Sequence, residues 1–504
     1  MDGSPQGVAD RPGKRWRALL ARPTVRESLW LGIALAVLSA LPFFVAKQPM
    51  LTDYGSHLAR YHIMLDGGHS PFLSRYYSFE WLFRGNLGAD LLIWPLAKLF
   101  GVETAGWLIG MIIPPLTALG LIAVDWQLRR RVGMGAWLAF ATIWSPAMGM
   151  GFYNFCLSLA LALFAFAGWI RLEGWRWRWA LYLPIGLTVW LCHASGWGIL
   201  GVLVFGYEFS RRKGLPAFVA PWPLLLPLIP ALLFAGEAKG SLSYGDRPWT
   251  YKFAILVQTF RQQELGLDVL TLAGLVLIVL AALFTLRIDG RLGWAALLLA
   301  ILSLVMPRHF GGGDYADYRL MAVTLTVACL AIAWQPPRWL FWAVPALFLY
   351  RLGVTAEIWH RQSQEMEAAL GALDHIPRGA RVAGAVLVEP QGWSLNPFEH
   401  APSYAAVRRD ALVNSHFAIP GVHMLKLRPE ALRGDIDDFI DPSQRIIHWR
   451  GKKIDLARFK PAKQADYLWY FGRLRPDTLP AGARVIYATR TSFLARLANP
   501  PHGS

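Results

Sequence analysis

Cysteine is scarce in this chain, with only three in 504 residues. Cys156, Cys192 and Cys329 all fall within or at the end of apolar segments, so the fold does not depend on a disulfide framework, although a Cys156–Cys192 bridge stays an open alternative. A cleavable signal peptide is not expected either, because no small-residue cleavage site precedes Lys47. The residues after about 356 contain no glycine-rich phosphate loop and no nucleophile motif.

Long apolar runs dominate the remaining sequence. Hydrophobic residues make up 55% of the chain and the mean hydropathy is +0.35. Since a membrane-spanning helix needs about 20 apolar residues, we predict about eleven spans: 28–46, 105–126, 135–150, 154–170, 179–194, 197–210, 216–235, 267–286, 292–306, 319–335 and 339–355. The apolar segment 86–100 is short and carries Asp90 and Pro95. We interpret it as a juxtamembrane or re-entrant helix, with a twelfth span as the alternative.

Lysine and arginine indicate the orientation, because cytoplasmic loops carry an excess of both. The basic N-terminus, residues 1–27, is therefore placed in the cytoplasm, together with connections such as Arg129–Arg131 and Arg211–Lys213. An odd number of spans then puts residues 356–504 on the external face. The formal charge of +17 is in part this topology signal, and we expect no nucleic-acid partner because no basic soluble face is evident.

Charged and imidazole side chains collect on the external face. The first external loop, 47–87, begins with Asp53-Tyr-Gly-Ser-His57-Leu-Ala-Arg60. Ionisable groups at a membrane indicate a functional site by default. A helix from about Ser56 to Leu65, ended by Gly67, would place His57 and Arg60 on one side, with Asp53 pointing into a cavity as a general base. The alternatives are that Asp53 caps this helix, or that the helix is merely solvated at the interface.

Further candidates lie in the other external turns. We predict substrate or phosphate binding by Tyr153, Asn154, His193, Arg308 and Arg319 as well as Arg60. A divalent cation such as Mg²⁺ or Mn²⁺ is a further hypothesis at His309, Asp314 and Asp317, because carboxylate and imidazole suit such ions. Four of these residues also have a structural alternative: Tyr153 and Asn154 as helix caps, His193 as a hydrogen-bonded structural histidine, and Arg319 reaching to the interface.

The segment 356–504 predicts a small external α/β domain that covers or shapes the cavity. A helical pattern spans Glu357–Leu373, and alternating or apolar runs predict the strands 381–388, 422–427, 445–449, 467–472 and 484–488. About 145 residues suffice for one such domain.

Several stretches resemble the GT-C superfamily of polyprenyl-phosphate-sugar-dependent glycosyltransferases. The first external loop with its early Asp53, followed by Asp90-Leu-Leu-Ile-Trp94-Pro-Leu-Ala-Lys-Leu-Phe-Gly101, is similar to lipid A aminoarabinose transferases and protein O-mannosyltransferases. The Asp53–Arg60 motif, His400-Ala-Pro-Ser-Tyr-Ala-Ala-Val407 and Phe417-Ala-Ile-Pro-Gly421 look closer to a group of little-characterised bacterial GT-C-like membrane proteins. The chain departs from the usual pattern in lacking an Asp-Glu or Asp-Asp pair after the first span.

The resemblance implies an α-helical polytopic, GT-C-like protein of a bacterial inner membrane, with the C-terminal domain in the periplasm. The implied reaction is inverting transfer of a sugar from a polyprenyl phosphate, such as undecaprenyl phosphate, to an envelope glycan or lipid. Asp53 would be the general base, assisted by His57, and arginines would hold the lipid phosphate. The alternatives are an O-antigen-type polymerase or ligase that uses a lipid-diphosphate donor, or a non-catalytic transporter or scaffold in envelope polysaccharide assembly.

Overall fold

The computed structural model describes residues 24–233, 242–262, 264–310, 313–334, 338–388, 392–418, 423–428, 432, 436–440, 445–449, 451 and 453–498. The predicted basic arm before Thr24, the last two residues of the predicted span 216–235, Gln335 of the span 319–335, Val422 and the stretch 419–421 lie outside these residues.

Helices make up most of the described chain. In chain order they are α1 Val25–Leu38, α2 Leu41–Val45, α3 Tyr54–Asp66, α4 Pro71–Tyr76, α5 Gly88–Phe100, α6 Val102–Arg129, α7 Met134–Phe140, α8 Pro146–Met150, α9 Tyr153–Arg171, α10 Arg178–Cys192, α11 Ala194–Arg212, α12 Leu215–Val219, α13 Leu228–Leu233, α14 Pro248–Val257, α15 Leu265–Phe284, α16 Gly290–Val305, α17 Ala316–Leu330, α18 Arg338–Leu370, α19 Tyr404–Arg409 and α20 Ile436–Ile440. Short 3₁₀ segments occupy Trp222–Leu225, Gln258–Phe260, Gly371–His375, Ala401–Ser403 and Lys460–Gln464.

Five helical stretches among the described residues are long and apolar enough to cross a membrane: Val25–Val45, Val102–Arg129, Tyr153–Arg171, Leu265–Phe284 and Phe341–His375. They coincide with five of the predicted spans. The other six correspond to shorter, interrupted or less apolar helices, so the number of eleven stays a prediction. The predicted span 135–150 consists of α7 and α8 separated by a turn before Pro146, where proline disfavours helix in the preceding residue. The predicted span 216–235 is likewise divided, into α12, a 3₁₀ segment and α13.

The segment 86–100 forms the separate helix α5, which ends before Gly101. At 1.5 Å per residue it is about 20 Å long, shorter than the hydrocarbon core of about 30 Å. This length agrees with a juxtamembrane or re-entrant helix. The predicted boundary near 355, by contrast, falls inside one continuous helix, because α18 runs from Arg338 to Leu370. The membrane part and the C-terminal domain are therefore joined by helix and share one core.

The C-terminal residues form a six-stranded mixed sheet with the order β3-β2-β6-β8-β7, and β5 also pairs with β2. Its strands are β2 Arg381–Val388, β3 Leu412–Val413, β5 Ile446–His448, β6 Tyr467–Phe471, β7 Arg484–Ala488 and β8 Ser492–Arg496. The predicted strands 381–388 and 484–488 are confirmed, and their first and last residues agree with the prediction. The pattern missed β8, which pairs antiparallel with β6 and β7. Because β2 pairs in parallel with β3, β5 and β6, an α/β arrangement is confirmed for this region.

A second, two-stranded sheet ties the first external loop to the C-terminal domain. Strand β1, Tyr77–Phe79, pairs antiparallel with β4, Leu425–Leu427. Apolar side chains from both parts form a common cluster around this sheet, among them Ile63, Leu73, Leu412 and Phe439. The described residues of the loop 47–87 and of the C-terminal domain therefore form one packed unit, which brings residues from distant parts of the sequence to Asp53.

Candidate active site

Asp53 occupies the residue directly before α3, at the position of a helix cap. Its backbone N–H donates to the carbonyl of Met150 in α8 at 2.9 Å, which fixes the start of α3 against the membrane helices. The side chain, however, makes no capping hydrogen bond. The Asp53 carboxyl group therefore does not cap α3. The predicted helix and its end at Gly67, where φ is 60°, are confirmed.

The Asp53 carboxyl group lies in a mostly buried position among charges from three parts of the chain. Its side chain is 16% exposed, and Oδ1 is 3.7 Å from Nε2 of His400. The pKa of Asp53 is raised to about 8: burial is the main cause, Glu399 also raises the pKa, and the Arg445 and Arg319 guanidinium groups lower it. A carboxyl group with a pKa close to the working pH is suited to accepting a proton in a reaction.

His400 is held in one orientation by the C-terminal domain. Its Nδ1 lies 2.6 Å from the carbonyl of Ser415 and therefore carries the proton, which leaves Nε2 as the acceptor for Nη2 of Arg445 at 3.1 Å. Arg445 is also bonded to Glu399 at 3.2 Å. Burial and the adjacent Arg445 hold the pKa of His400 well below its ordinary value. The imidazole beside Asp53 is therefore neutral.

Gly55 allows this close approach of the C-terminal domain. A Cβ at residue 55 would lie 2.4 Å from the carbonyl oxygen of His400, so no larger residue fits without a shift of backbone. One residue further, Oγ of Ser56 accepts a hydrogen bond from the backbone N–H of Phe417 at 3.2 Å. The Gly55-Ser56 pair inside the Asp53–Arg60 motif therefore contacts His400 and Phe417, the first residues of the two stretches that carry the sequence resemblance.

Arg319 is a cation without an anionic partner among the described residues. It lies in the first turns of α17, beside the Phe152 ring at 4.3 Å, and its buried Nε has no hydrogen-bond partner in the described part of the chain. Its guanidinium lies in the wall of a narrow, mainly apolar cleft between α6, α9 and α17, which is also lined by Ile113, Met148, Phe155, Leu159 and Val323. A partly buried arginine next to an apolar cleft is suited to an anionic headgroup on an apolar chain.

Arg60 differs from Arg319, because it is already paired. Its guanidinium forms a buried ion pair with Asp90 of α5 at 2.6 Å, with 9% and 0% of the two side chains exposed. Nδ2 of Asn154 donates to Asp90 at 3.3 Å and to the carbonyl of Asn86 at 2.8 Å. The structure therefore places Arg60 and Asn154 in a network that fastens α5 to α3 and α9, which accounts for both residues without a bound phosphate.

His57, Tyr153 and His193 lie around the site. Buried Nδ1 of His57 and the buried hydroxyl of Tyr153 have no hydrogen-bond partner within the described chain. Burial, followed by nearby Arg60 and His423, lowers the pKa of His57 well below its ordinary value, so its imidazole is neutral. Nδ1 of His193 accepts from the backbone N–H of Ser195 at 3.0 Å, and its ring packs edge-on against Phe155, which also contacts Arg319. His193 and Arg319 therefore share one wall of the site.

The loop before α17 contains the three hypothetical metal ligands. Asp314 pairs with Arg308 at 3.0 Å and lies 3.2 Å from Nδ1 of His309. Asp317 instead forms a buried ion pair with Lys252 of α14 at 2.6 Å. No group of three or more His, Cys, Asp or Glu side chains in the described ranges is arranged to hold a metal ion. Since each carboxylate already neutralises a cation, this donor set does not fit a divalent metal.

The sequence does not identify His400, Glu399 and Arg445 as site residues. The stretch that begins at His400 indicates only a similarity to GT-C-like membrane proteins. The three cysteines are free and buried, so the Cys156–Cys192 bridge is not formed.

Comparison with known proteins supports the architecture through structure alone. No family model and no curated protein sequence matches the chain. Among solved structures, the fold is similar to that of ArnT from Cupriavidus metallidurans, in a crystal structure bound to undecaprenyl phosphate. The TM-score is 0.50 with 13% sequence identity, and the match covers 94% of this chain and 99% of ArnT. The predicted GT-C-like architecture is thereby confirmed.

Proposed function

We propose that this protein is an inverting glycosyltransferase that moves a sugar from a polyprenyl phosphate, such as undecaprenyl phosphate, to an envelope glycan or lipid. The observation that carries the proposal is an unneutralised cation, Arg319, in the lining of an apolar cleft and within electrostatic reach of a mostly buried carboxyl group, Asp53. The fold shared with ArnT, whose crystal structure is bound to undecaprenyl phosphate, supports the same donor class.

The donor would lie with its phosphate at Arg319 and the start of its polyprenyl chain against the apolar side chains of the neighbouring helices α6, α9 and α17. The guanidinium provides fixed donors for phosphate oxygens, and its low-water surroundings strengthen that interaction. His193 supports this position, because Nε2 carries its proton when Nδ1 accepts from Ser195. Arg308 is less available, since its guanidinium is bonded to Asp314 through both Nε and Nη2.

The transfer is a single displacement at the anomeric carbon. The acceptor hydroxyl oxygen forms a bond to that carbon while its proton passes to the Asp53 carboxylate. The bond between the anomeric carbon and the phosphate oxygen breaks, and the phosphate leaves with the electron pair and gains negative charge. Arg319 stabilises that charge. One displacement inverts the configuration at the carbon.

The setting we propose is a bacterial inner membrane, with the N-terminus in the cytoplasm and the loop 47–87 and the C-terminal domain in the periplasm. The partners are the bilayer, the lipid-linked donor and the glycan or lipid acceptor, and no nucleic acid. We derive no step through a metal ion, because the residues predicted to hold one are paired with Arg308 and Lys252.

The test uses the full-length chain purified into lipid nanodiscs. It is offered a panel of undecaprenyl-phosphate sugars and of undecaprenyl-diphosphate sugars, together with a membrane glycolipid extract as acceptor. We expect release of undecaprenyl phosphate and a product of inverted anomeric configuration by NMR. Turnover of diphosphate donors alone would favour the polymerase or ligase alternative.

A parallel experiment compares envelope glycans by mass spectrometry in a deletion strain that carries either the wild-type chain or Asp53→Asn. We expect one sugar to be lost on deletion and restored by the wild type alone. Full restoration by Asp53→Asn would favour the transporter or scaffold alternative.

A further inference from the structure

Three residues of the C-terminal domain form a connected series that ends at the Asp53 carboxyl group. Glu399 accepts from Arg445 at 3.2 Å, Arg445 donates to Nε2 of His400 at 3.1 Å, and the same Nε2 is 3.7 Å from Oδ1 of Asp53. His400 is 1% exposed and Arg445 is 5% exposed. Burying a charged and an imidazole side chain so completely is costly unless their contacts compensate.

We propose that His400 is a positioning residue that holds Asp53 when this carboxyl group carries the acceptor's proton, and that Arg445, held by Glu399, occupies Nε2 of His400 until then. This inference rests on the proposed function, in which Asp53 is the base.

The hydrogen bonds of His400 give the direction of the effect. Nδ1 carries the proton and donates to the Ser415 carbonyl, so Nε2 carries the lone pair of the ring, which accepts from Arg445 and lies 3.7 Å from Asp53. When Asp53 is ionised, Arg445 occupies this lone pair and the imidazole donates nothing to the carboxylate. When Asp53 has accepted a proton, its O–H donates to Nε2 in place of Arg445, which retains Glu399 as a partner. The contact therefore favours the protonated carboxyl group.

Some of the other groups near Asp53 favour its ionised form and others oppose it. Glu399 opposes ionisation, whereas Arg445 and Arg319 of α17 favour it. Tyr315, at the start of α17, is also within electrostatic reach of Asp53, and His57 lies one turn away on the same helix in its neutral form. Burial is the main cause of the raised pKa of Asp53, and together with these opposing charges it gives a value of about 8. In the wild type, Asp53 is therefore increasingly ionised, and turnover increases, as the pH rises through about 8.

Two substitutions of His400 separate positioning from folding. His400→Asn keeps an amide donor near the position of Nδ1, and so keeps the bond to Ser415, but it lacks a group facing Asp53. His400→Gln places its amide oxygen near the position of Nε2. The probe is the infrared C=O band of the protonated carboxyl group, assigned by its loss in Asp53→Asn, titrated in full-length protein in nanodiscs.

We expect the midpoint of this band to fall by about one pH unit in His400→Asn and to return toward the wild-type value in His400→Gln. An unchanged midpoint in His400→Asn would overturn the proposal. With donor present, kcat should fall in His400→Asn while the donor KM changes little, because the lost contact belongs to the proton acceptor and not to the phosphate site.

Glu399→Gln and Arg445→Gln provide a second, independent measurement. Removing the negative charge should lower the Asp53 midpoint, and removing the positive charge should raise it, by about one unit each. Shifts in the same direction, or none, would overturn the inference, since general damage to the fold cannot produce opposite shifts. The titration needs no donor. A chain that shows these shifts yet transfers no sugar would therefore refute the proposed function separately.

Discussion

Two of the arginine–aspartate neighbourhoods in the molecule are organised in opposite ways. At Arg60 and Asp90, cation and carboxylate lie 2.6 Å apart in a dry interface between α3 and α5. At Arg319 and Asp53, the two charges influence each other without forming an ion pair, and the pKa of Asp53 stays high at about 8. The first pair fastens helices together. The second leaves each group available for a ligand.

The two neighbourhoods differ in what compensates the free-energy cost of burying their charges. A buried ion pair satisfies both charges internally, so neither partner needs a substrate. An unpaired charge in a membrane protein stays costly until a ligand or water compensates it, and such residues are functional by default. Because both arginines were predicted to bind phosphate, sequence alone did not distinguish them; their partners do.

The largest effect is expected at Asp53. Asp53→Asn removes the proton acceptor and should lower kcat by about 10²–10⁴-fold, measured as release of undecaprenyl phosphate. The matched control is Asp66→Asn at the other end of α3, whose carboxylate accepts from the backbone N–H of Ser70 away from the site. We expect that control to retain activity within a few fold. A fully active Asp53→Asn would remove Asp53 from the chemistry.

The second largest effect is expected for Arg319→Met. Loss of the group that stabilises the departing phosphate should reduce kcat by about 10²–10³-fold. Arg319→Lys should recover part of this loss, because it keeps the charge without the planar arrangement of donors. Binding of undecaprenyl phosphate, measured by native mass spectrometry, should weaken in Arg319→Met. Equal binding in wild type and variant would contradict the phosphate assignment.

Arg60→Met should act on stability and not on chemistry. It leaves the buried Asp90 carboxylate without a cation, with the Asn154 amide as its remaining described side-chain partner, which costs about 3–5 kcal/mol in free energy of unfolding. The expected result is a lower melting temperature in detergent, with much of the loss recovered in the double variant Arg60→Met, Asp90→Leu. A double variant that is stable but no longer binds undecaprenyl phosphate would return Arg60 to its predicted role as a phosphate ligand.

The smallest effect is expected in the loop before α17. Asp314→Asn removes the partly exposed pair with Arg308, a contact of a kind worth about 0.2–1 kcal/mol, so turnover should change by no more than about fivefold. The measurement is turnover with and without added Mg²⁺ or Mn²⁺. A large loss, together with a metal dependence that disappears in Asp314→Asn, would instead support the predicted metal site.

The sequence predicted the elements with strong local signals. The helix after Asp53, its end at Gly67 and the strand 381–388 are confirmed. They could be predicted because a glycine at a helix end and an apolar run are signals within a few neighbouring residues. The break within 135–150 was missed, since an apolar run does not show by itself where a buried helix is interrupted. The prediction of Asp53 as a site residue is consistent with its placement, although its role stays a prediction.

The remaining site residues depend on tertiary contacts. His400 and Arg445 reach Asp53 only because Gly55 admits the His400 carbonyl and β1 pairs with β4. Nothing in the local pattern around Arg445 indicates this position. That the C-terminal domain covers a cavity stays a prediction; the structure shows that this domain places Glu399, His400 and Arg445 near the Asp53 carboxyl group.

The seating of His400 over Gly55 also has a consequence for biosynthesis. Asp53 leaves the ribosome well before His400 and Arg445, and chains fold from the N-terminus as they are synthesised. Until these two residues are in place, the Asp53 carboxyl group is less buried, so its pKa is closer to that of a free aspartate. A chain that has not reached Arg445 therefore has the first half of the proposed site but not all of the groups that set the pKa of Asp53.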